Sequence, residues 1–273
     1  MSMLTIVANS TLYVLTGIVA GLMSGLIGIG GGIIVVPALL IIFQYFVKVP
    51  ADLAIHLATG TSLAAILIIS QAAVRAHCRH GIILWSLFKR LAPGIAIGSF
   101  FGVLLSTYLS VSWLESLLAV FLLFIAIMLM LNIKYNFRLL HSKLSQPPRV
   151  LSSLISFLIG FCSGLLGVGG GVIIVPYLSY YNLEMRQIAP VSALCVTTAA
   201  ITGTLMFIIM GFHEAGLPAY TTGYIYWPAV ISIAIPSILG AFWGARLTYL
   251  LSQRQLEYIF IIILLITSIE LIL

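Results

Sequence analysis

The sequence predicts an all-α polytopic membrane protein made of two inverted repeats, each a glycine-broken re-entrant helical hairpin plus three transmembrane helices. Composition is the first ground. With 273 residues, 62% hydrophobic and only 7% charged, and a mean hydropathy of +1.23, the chain has too few charges to cover a soluble globule. The second ground is a doubled segment. Residues 21–37, GLMSGLIGIGGGIIVVP, return as residues 160–176, GFCSGLLGVGGGVIIVP. Six glycines, a serine before the second glycine (Ser24, Ser163) and a closing proline (Pro37, Pro176) recur in register. The third ground is the placement of Lys and Arg, taken up below.

In chain order, residues 11–46 are apolar but broken at 28–32, where clustered glycines remove helix propensity and make positive φ accessible. Two shorter helices joined by an elbow are expected there. Spans follow near 53–74, 91–108 and 111–133, each close to the ~20 residues that cross a hydrocarbon core. A polar linker with Lys134, Arg138, Lys143, Arg149 and the Pro147-Pro148 pair divides the chain. It separates an N-terminal repeat, 1–133, from a C-terminal repeat, 150–273, with 134–149 cytoplasmic. The second half follows the same plan: a broken segment at 151–181, then spans near 188–211, 226–245 and 255–272. Correspondence extends further, since Gly81 to Trp85 matches Gly223 to Trp227, Gly98 and Gly102 match Gly240 and Gly244, and Leu109-Ser110 matches Leu251-Ser252, all at one offset. Glycines four apart also let helix backbones approach closely in lipid.

Basic residues orient the halves. If both broken segments crossed the membrane, the twelve Lys and Arg would split eight against four; if each dips in and returns, only Lys48 falls outside. The positive-inside rule favours the second arrangement. The loop of Arg75, Arg79, Lys89 and Arg90 is then cytoplasmic, while its counterpart at 213–222 has no Lys or Arg and is external. Equivalent loops on opposite sides define an inverted repeat, and three crossings per copy is the odd number that inversion requires.

Other classes are disfavoured. The net charge of +6 is thinly spread rather than gathered with aromatics into a nucleic-acid surface. Cys78, Cys162 and Cys195 form neither a disulfide framework nor a metal-ligand spacing. Apart from a helix terminus nothing nearby would lower a thiol pKa, so they read as packing residues. No basic residue precedes the first apolar run, as a cleaved signal peptide would need. There is no H-E-x-x-H and no membrane-depth nucleophile with a base, so no enzyme activity, metal or cofactor is expected.

The doubled G-x-x-S-G-x-x-G-x-G-G-G-x-x-x-V-P segment, followed by Gly60-Thr61-Ser62-Leu63 and by Val191-Ser192-Ala193-Leu194, resembles the sulfite exporter TauE/SafE (TSUP) family of membrane transporters. The resemblance covers nearly the whole chain. It implies a transporter of a small anion, plausibly a sulfur compound such as sulfite, thiosulfate or an organosulfonate, in a bacterial inner membrane. A transporter of a non-sulfur organic acid, or a non-transporting scaffold or assembly factor, is the alternative.

The elbow supports that implication on separate grounds. Irregular backbone at membrane depth survives only where protein or a wet cavity satisfies it. Beyond each elbow a second half-helix begins with Ile33 or Val172, presenting free N–H groups and the positive end of its dipole. Two such ends aimed at the midplane make an anion site. The candidate substrate-binding residues are therefore Gly28, Gly30, Gly31, Gly32 and Ile33 with Gly167, Gly169, Gly170, Gly171 and Val172. Thr61, Ser62 and Ser192 join them, with Thr59, Thr197 and Thr198 as lesser hydroxyls. The glycines would equally permit close packing, and such hydroxyls also bond their own helix backbone. Gln71 and Arg75 lie towards the cytoplasmic mouth. All six carboxylates fall near span ends, so proton coupling would need His56, His213 or the anion itself.

Overall fold

The computed structural model describes residues 3–78, 83–135, 149–179, 185–214 and 216–250, together with residues 181, 183, 255, 258, 261, 262 and 265. Most of the linker 134–149 and most of the span expected near 255–272 lie outside the described residues. In the first half, α1 (Met3–Ile27) enters the elbow and α2 (Gly32–Ile41) leaves it, running on as a π-helical stretch, Ile42–Val47. Lys48, at φ 58°, and Pro50 end that stretch. Then come α3 (Ala51–Cys78), α4 (Trp85–Ser106) and α5 (Val111–Tyr135). The second half has α6 (Arg149–Leu166), α7 (Gly171–Ser179), α8 (Met185–Met210) and α9 (Trp227–Leu250). Four of these, α3, α4, α8 and α9, are long and apolar enough to cross a membrane, and several shorter apolar helices accompany them.

The broken segments are hairpins. A Cβ on Gly31, at the start of the returning arm, would lie 2.9 Å from Ala20 Cβ on the entering arm. In the second half the Tyr177 hydroxyl of α7 donates to Ser152 Oγ of α6 at 3.3 Å. Each second arm thus runs back beside the first.

Packing between helices crosses from one half to the other. Added Cβ atoms on Gly17, Gly21 and Gly25 of α1 would run into the backbone of Ile233, Ser237 and Ala241 of α9. Gly94, Gly98 and Gly102 of α4 meet the backbone of Ser153, Phe157 and Phe161 of α6 in the same way. In both pairs the numbers rise together, so the helices run parallel. Small side chains permit this approach, which supplies dispersion contact where lipid offers no hydrophobic drive. The central pair is α3, which is largely buried, with α8, which is half buried. Here Leu63 lies against Gly203 and Thr197 against Ser70, so numbers rise on one helix as they fall on the other. These two corresponding helices are therefore antiparallel.

One departure from an all-helical reading is a short ribbon, β1 (Thr221–Thr222) with β2 (Ile225–Tyr226), turning at Gly223 with φ 57°. It packs on the side of α3: the Tyr226 N–H donates to Thr61 Oγ1 at 3.0 Å. Beside it the Tyr224 hydroxyl donates to Glu214 Oε2 at 3.2 Å. Burial, and then the neighbouring carboxylate, push Tyr224 up to about 12, so it keeps this proton at neutral pH.

The α4–α6 contact gives a direct test. Gly98→Leu places a branched side chain where the Phe157 carbonyl stands. It should destabilise the fold by at least the ~1–3 kcal/mol of a typical overpacked site. Thermal unfolding in detergent should show a clearly lowered midpoint, whereas Ile97→Leu on the exposed face of the same helix should not.

Candidate functional site

Each elbow is built by the same backbone. Gly28, Gly30 and Gly31 have φ of 76°, 89° and 77°; Gly167, Gly169 and Gly170 have 71°, 87° and 75°. Side chains other than glycine rarely adopt these angles, which is why the motif spends glycine there. The first helix closes with the Gly28 N–H on the Ser24 carbonyl at 2.8 Å, matched by Gly167 on Ser163 at 2.9 Å. The second starts with Ile34 and Val35 donating to the Gly31 carbonyl, matched by Ile173 and Ile174 on Gly170. N–H groups ahead of these, on Gly32, Ile33, Gly171 and Val172, have no acceptor inside their helix. The half-helices begin at Gly32 and Gly171, one residue earlier than expected from sequence. Gly31 is left-handed and Gly32 helical, and such a pair of conformations gathers successive N–H groups into an anion-binding nest.

The two elbows touch. A Cβ on Gly32 would lie 2.6 Å from the Val168 carbonyl, and one on Gly171 would strike the backbone of Ile29. Ile66 of α3 and Val196 of α8 both pack against Gly30 and against Gly169. These two residues stand four positions after Ser62 and Ser192. Thr59 backs Gly167 and Ala189 backs Gly28, each three positions before its serine. These contacts on one side have their counterparts on the other.

The predicted serines lie at the centre of this arrangement. The Ser62 hydroxyl donates to the Gly167 carbonyl at 3.0 Å and the Ser192 hydroxyl to the Gly28 carbonyl at 2.8 Å. Each holds the elbow of the other half, and with that its only proton is committed. Thr61 accepts from the ribbon instead. Thr59 donates to the Ile55 and His56 carbonyls, Thr198 to the Leu194 carbonyl, and Thr197 contacts both the Ala193 carbonyl and Ser70. Gln71 and Arg75 share the exposed face of α3, one turn apart. His56 is buried with its ring 5.4 Å from that of Tyr224, and His213 is exposed beside Phe212. Cys195 is buried and Cys78 exposed, both as free thiols.

Sequence reasoning passed over Ser24 and Ser163. They are 0% and 1% exposed, and neither hydroxyl has a hydrogen-bond partner. Their recurrence inside the doubled motif was the signal that could have singled them out.

The chain is similar along almost its whole length to proteins described as transporters. The sulfite exporter TauE/SafE family profile matches residues 13–271. A probable membrane transporter protein of Haemophilus influenzae is 34% identical, over 95% of this chain and 96% of its own. A probable membrane transporter protein of Methanocaldococcus jannaschii is 27% identical over 90% of this chain and 89% of its own. The probable membrane transporter protein YdhB of Bacillus subtilis is 26% identical over 90% and 93%. No solved structure matches. With these helices and these relatives the protein is a multi-pass integral membrane transporter, not an enzyme, and it belongs to the sulfite exporter TauE/SafE family.

Proposed function

We propose that this protein moves a small anion, of the sulfur-containing kind that the family's name suggests, by alternating access around a midplane site formed by the two elbows. The observation that carries this reading is reciprocity: Ser62 clasps the elbow of the second half and Ser192 the elbow of the first. Antiparallel packing of the corresponding helices α3 and α8 supports an inverted repeat with its two-fold axis in the membrane plane. In that layout each hairpin dips in from its own side, and the half-helix N-termini meet at mid-depth. Rocking of one repeat against the other breaks and remakes equivalent contacts, so outward and inward states have similar energies. Free N–H groups at Gly32, Ile33, Gly171 and Val172 then face a passing oxyanion with donors only.

Transport is tested by flux. In proteoliposomes containing only this protein, sulfite, thiosulfate, a sulfonate or a small carboxylate should be taken up above empty vesicles. No flux and no binding across the panel favours a scaffold. Topology has its own test: tags at 213–222 should be accessible from outside and tags at 138–148 from the cytoplasm, and finding both on one side would sink the inverted repeat. For the clasps, Ser62→Ala and Ser192→Ala should each lower the thermal midpoint in detergent. Each loses a bond worth about 0.5–2 kcal/mol between membrane helices. They should also slow flux, because the released elbow no longer follows the opposing repeat.

A further inference from the structure

Two hydroxyls at the elbows are left out of the hydrogen bonding. Ser24 and Ser163 hold the same place in the two motifs, both are sealed from solvent, and neither has a partner. A buried hydroxyl without a partner is destabilising, and most helical serines avoid that by bonding a carbonyl three or four residues back. Ser106, Ser156 and Ser237 do so in this protein. For the same exception to occur twice, at matched positions, a ligand absent from this conformation is the physical explanation.

Their surroundings say which ligand. Ser163 Cβ lies 3.4 Å from where a Gly170 side chain would begin. Ala20 is against Gly31 in the first half, and Ser24 follows it by one turn on the same helix face. Ser163 therefore stands beside the left-handed glycine that starts its half-helix, next to N–H groups without intrahelical acceptors, and Ser24 holds the matching place in the first motif. The groups around both elbows are Ala20, Ile29, Thr59, Ile66, Ile159, Val168, Ala189 and Val196, all neutral. We infer that Ser24 and Ser163 are the hydroxyl donors of two equivalent anion subsites, one per repeat, that take singly charged oxyanions. The inference rests on the transport reading above and names its donors and the charge of its substrate. A site of neutral N–H and O–H donors can balance the desolvation of one charge. The desolvation cost grows as the square of the charge, to about four times as much for a dianion, and none of these described neighbours is a Lys, Arg or His that could offset it. Closure around the hydroxyls means that the anion arrives only when a hairpin moves away from α3 and α8.

Methanesulfonate and sulfate test this directly, since they have nearly the same tetrahedral shape and differ in charge. Binding of each, and of acetate, to purified wild-type protein is measured by calorimetry and by ligand-induced thermal shift. The same is done for Ser24→Ala, Ser163→Ala and the control Ser106→Ala. Methanesulfonate should bind the wild type at least about tenfold more tightly than sulfate. Each elbow variant should weaken binding about tenfold or more, as expected for one hydrogen bond to a charged group. The control should bind as wild type does. Without ligand, both elbow variants should melt at or above the wild-type temperature, because each removes an unpaired buried polar group; a structural serine would lower it. Wild-type binding untouched by the elbow variants, or sulfate held as tightly as methanesulfonate, overturns this inference and leaves the transport reading standing. Failure of the wild type to bind any probe, with no flux in vesicles, removes both.

Discussion

Everything in this structure depends on how two stretches of irregular backbone are kept inside the helix bundle of a membrane protein. Breaking a helix in hydrocarbon exposes N–H and C=O groups with no water to satisfy them. Here each break is closed from the opposite half. The Gly28 carbonyl takes its proton from Ser192 and the Gly167 carbonyl from Ser62, while Ile66 and Val196 fill the apolar space between them. Neither elbow is satisfied by its own repeat alone, so the broken helices bind the halves together at the place where they are weakest by themselves.

The outer helices follow the same plan. α1 packs along α9 and α6 along α4, each pair joining one repeat to the other through glycines that leave no room for a Cβ. Thr248 adds to the first pair by donating to the Leu26 carbonyl at 2.6 Å, beside the elbow. In lipid such contacts depend on shape and close approach rather than on expulsion of water. Smooth, small-residue faces can slide by small steps without exposing polar groups, which is the property a rocking mechanism needs. Among the described charged side chains, Arg75 is exposed near the end of α3, and Glu214 is tied to Tyr224 at the turn of the ribbon.

The proposed site, built from backbone N–H groups and hydroxyls, would have consequences for chemistry. It favours groups that accept hydrogen bonds and repels cations through the positive helix ends. It also avoids the cost of burying a fixed positive charge whenever the site is empty. An empty carrier must be able to return across its cycle, and a neutral lining makes that return cheaper than a buried arginine would.

Much of this was legible in the chain itself. Composition gave the solvent, the spacing of apolar runs gave the helices, and the doubled glycine motif gave both elbows to within one residue, because helix propensity and glycine's freedom act locally. The two arms of each broken segment lie side by side, with Gly31 against Ala20 and Tyr177 reaching Ser152. The roles of the hydroxyls were not legible. Ser62 and Ser24 are both small polar residues near a glycine run, yet one is committed to a carbonyl 105 positions away and the other has no partner. The ribbon over Thr61 was equally hidden, since its partner lies 165 positions along. Sequence by itself determined where the backbone breaks, because that is set by the residues at the break. Only tertiary structure decided which carbonyl each hydroxyl meets, because a hydrogen bond is directional and its acceptor is supplied by the other half of the chain.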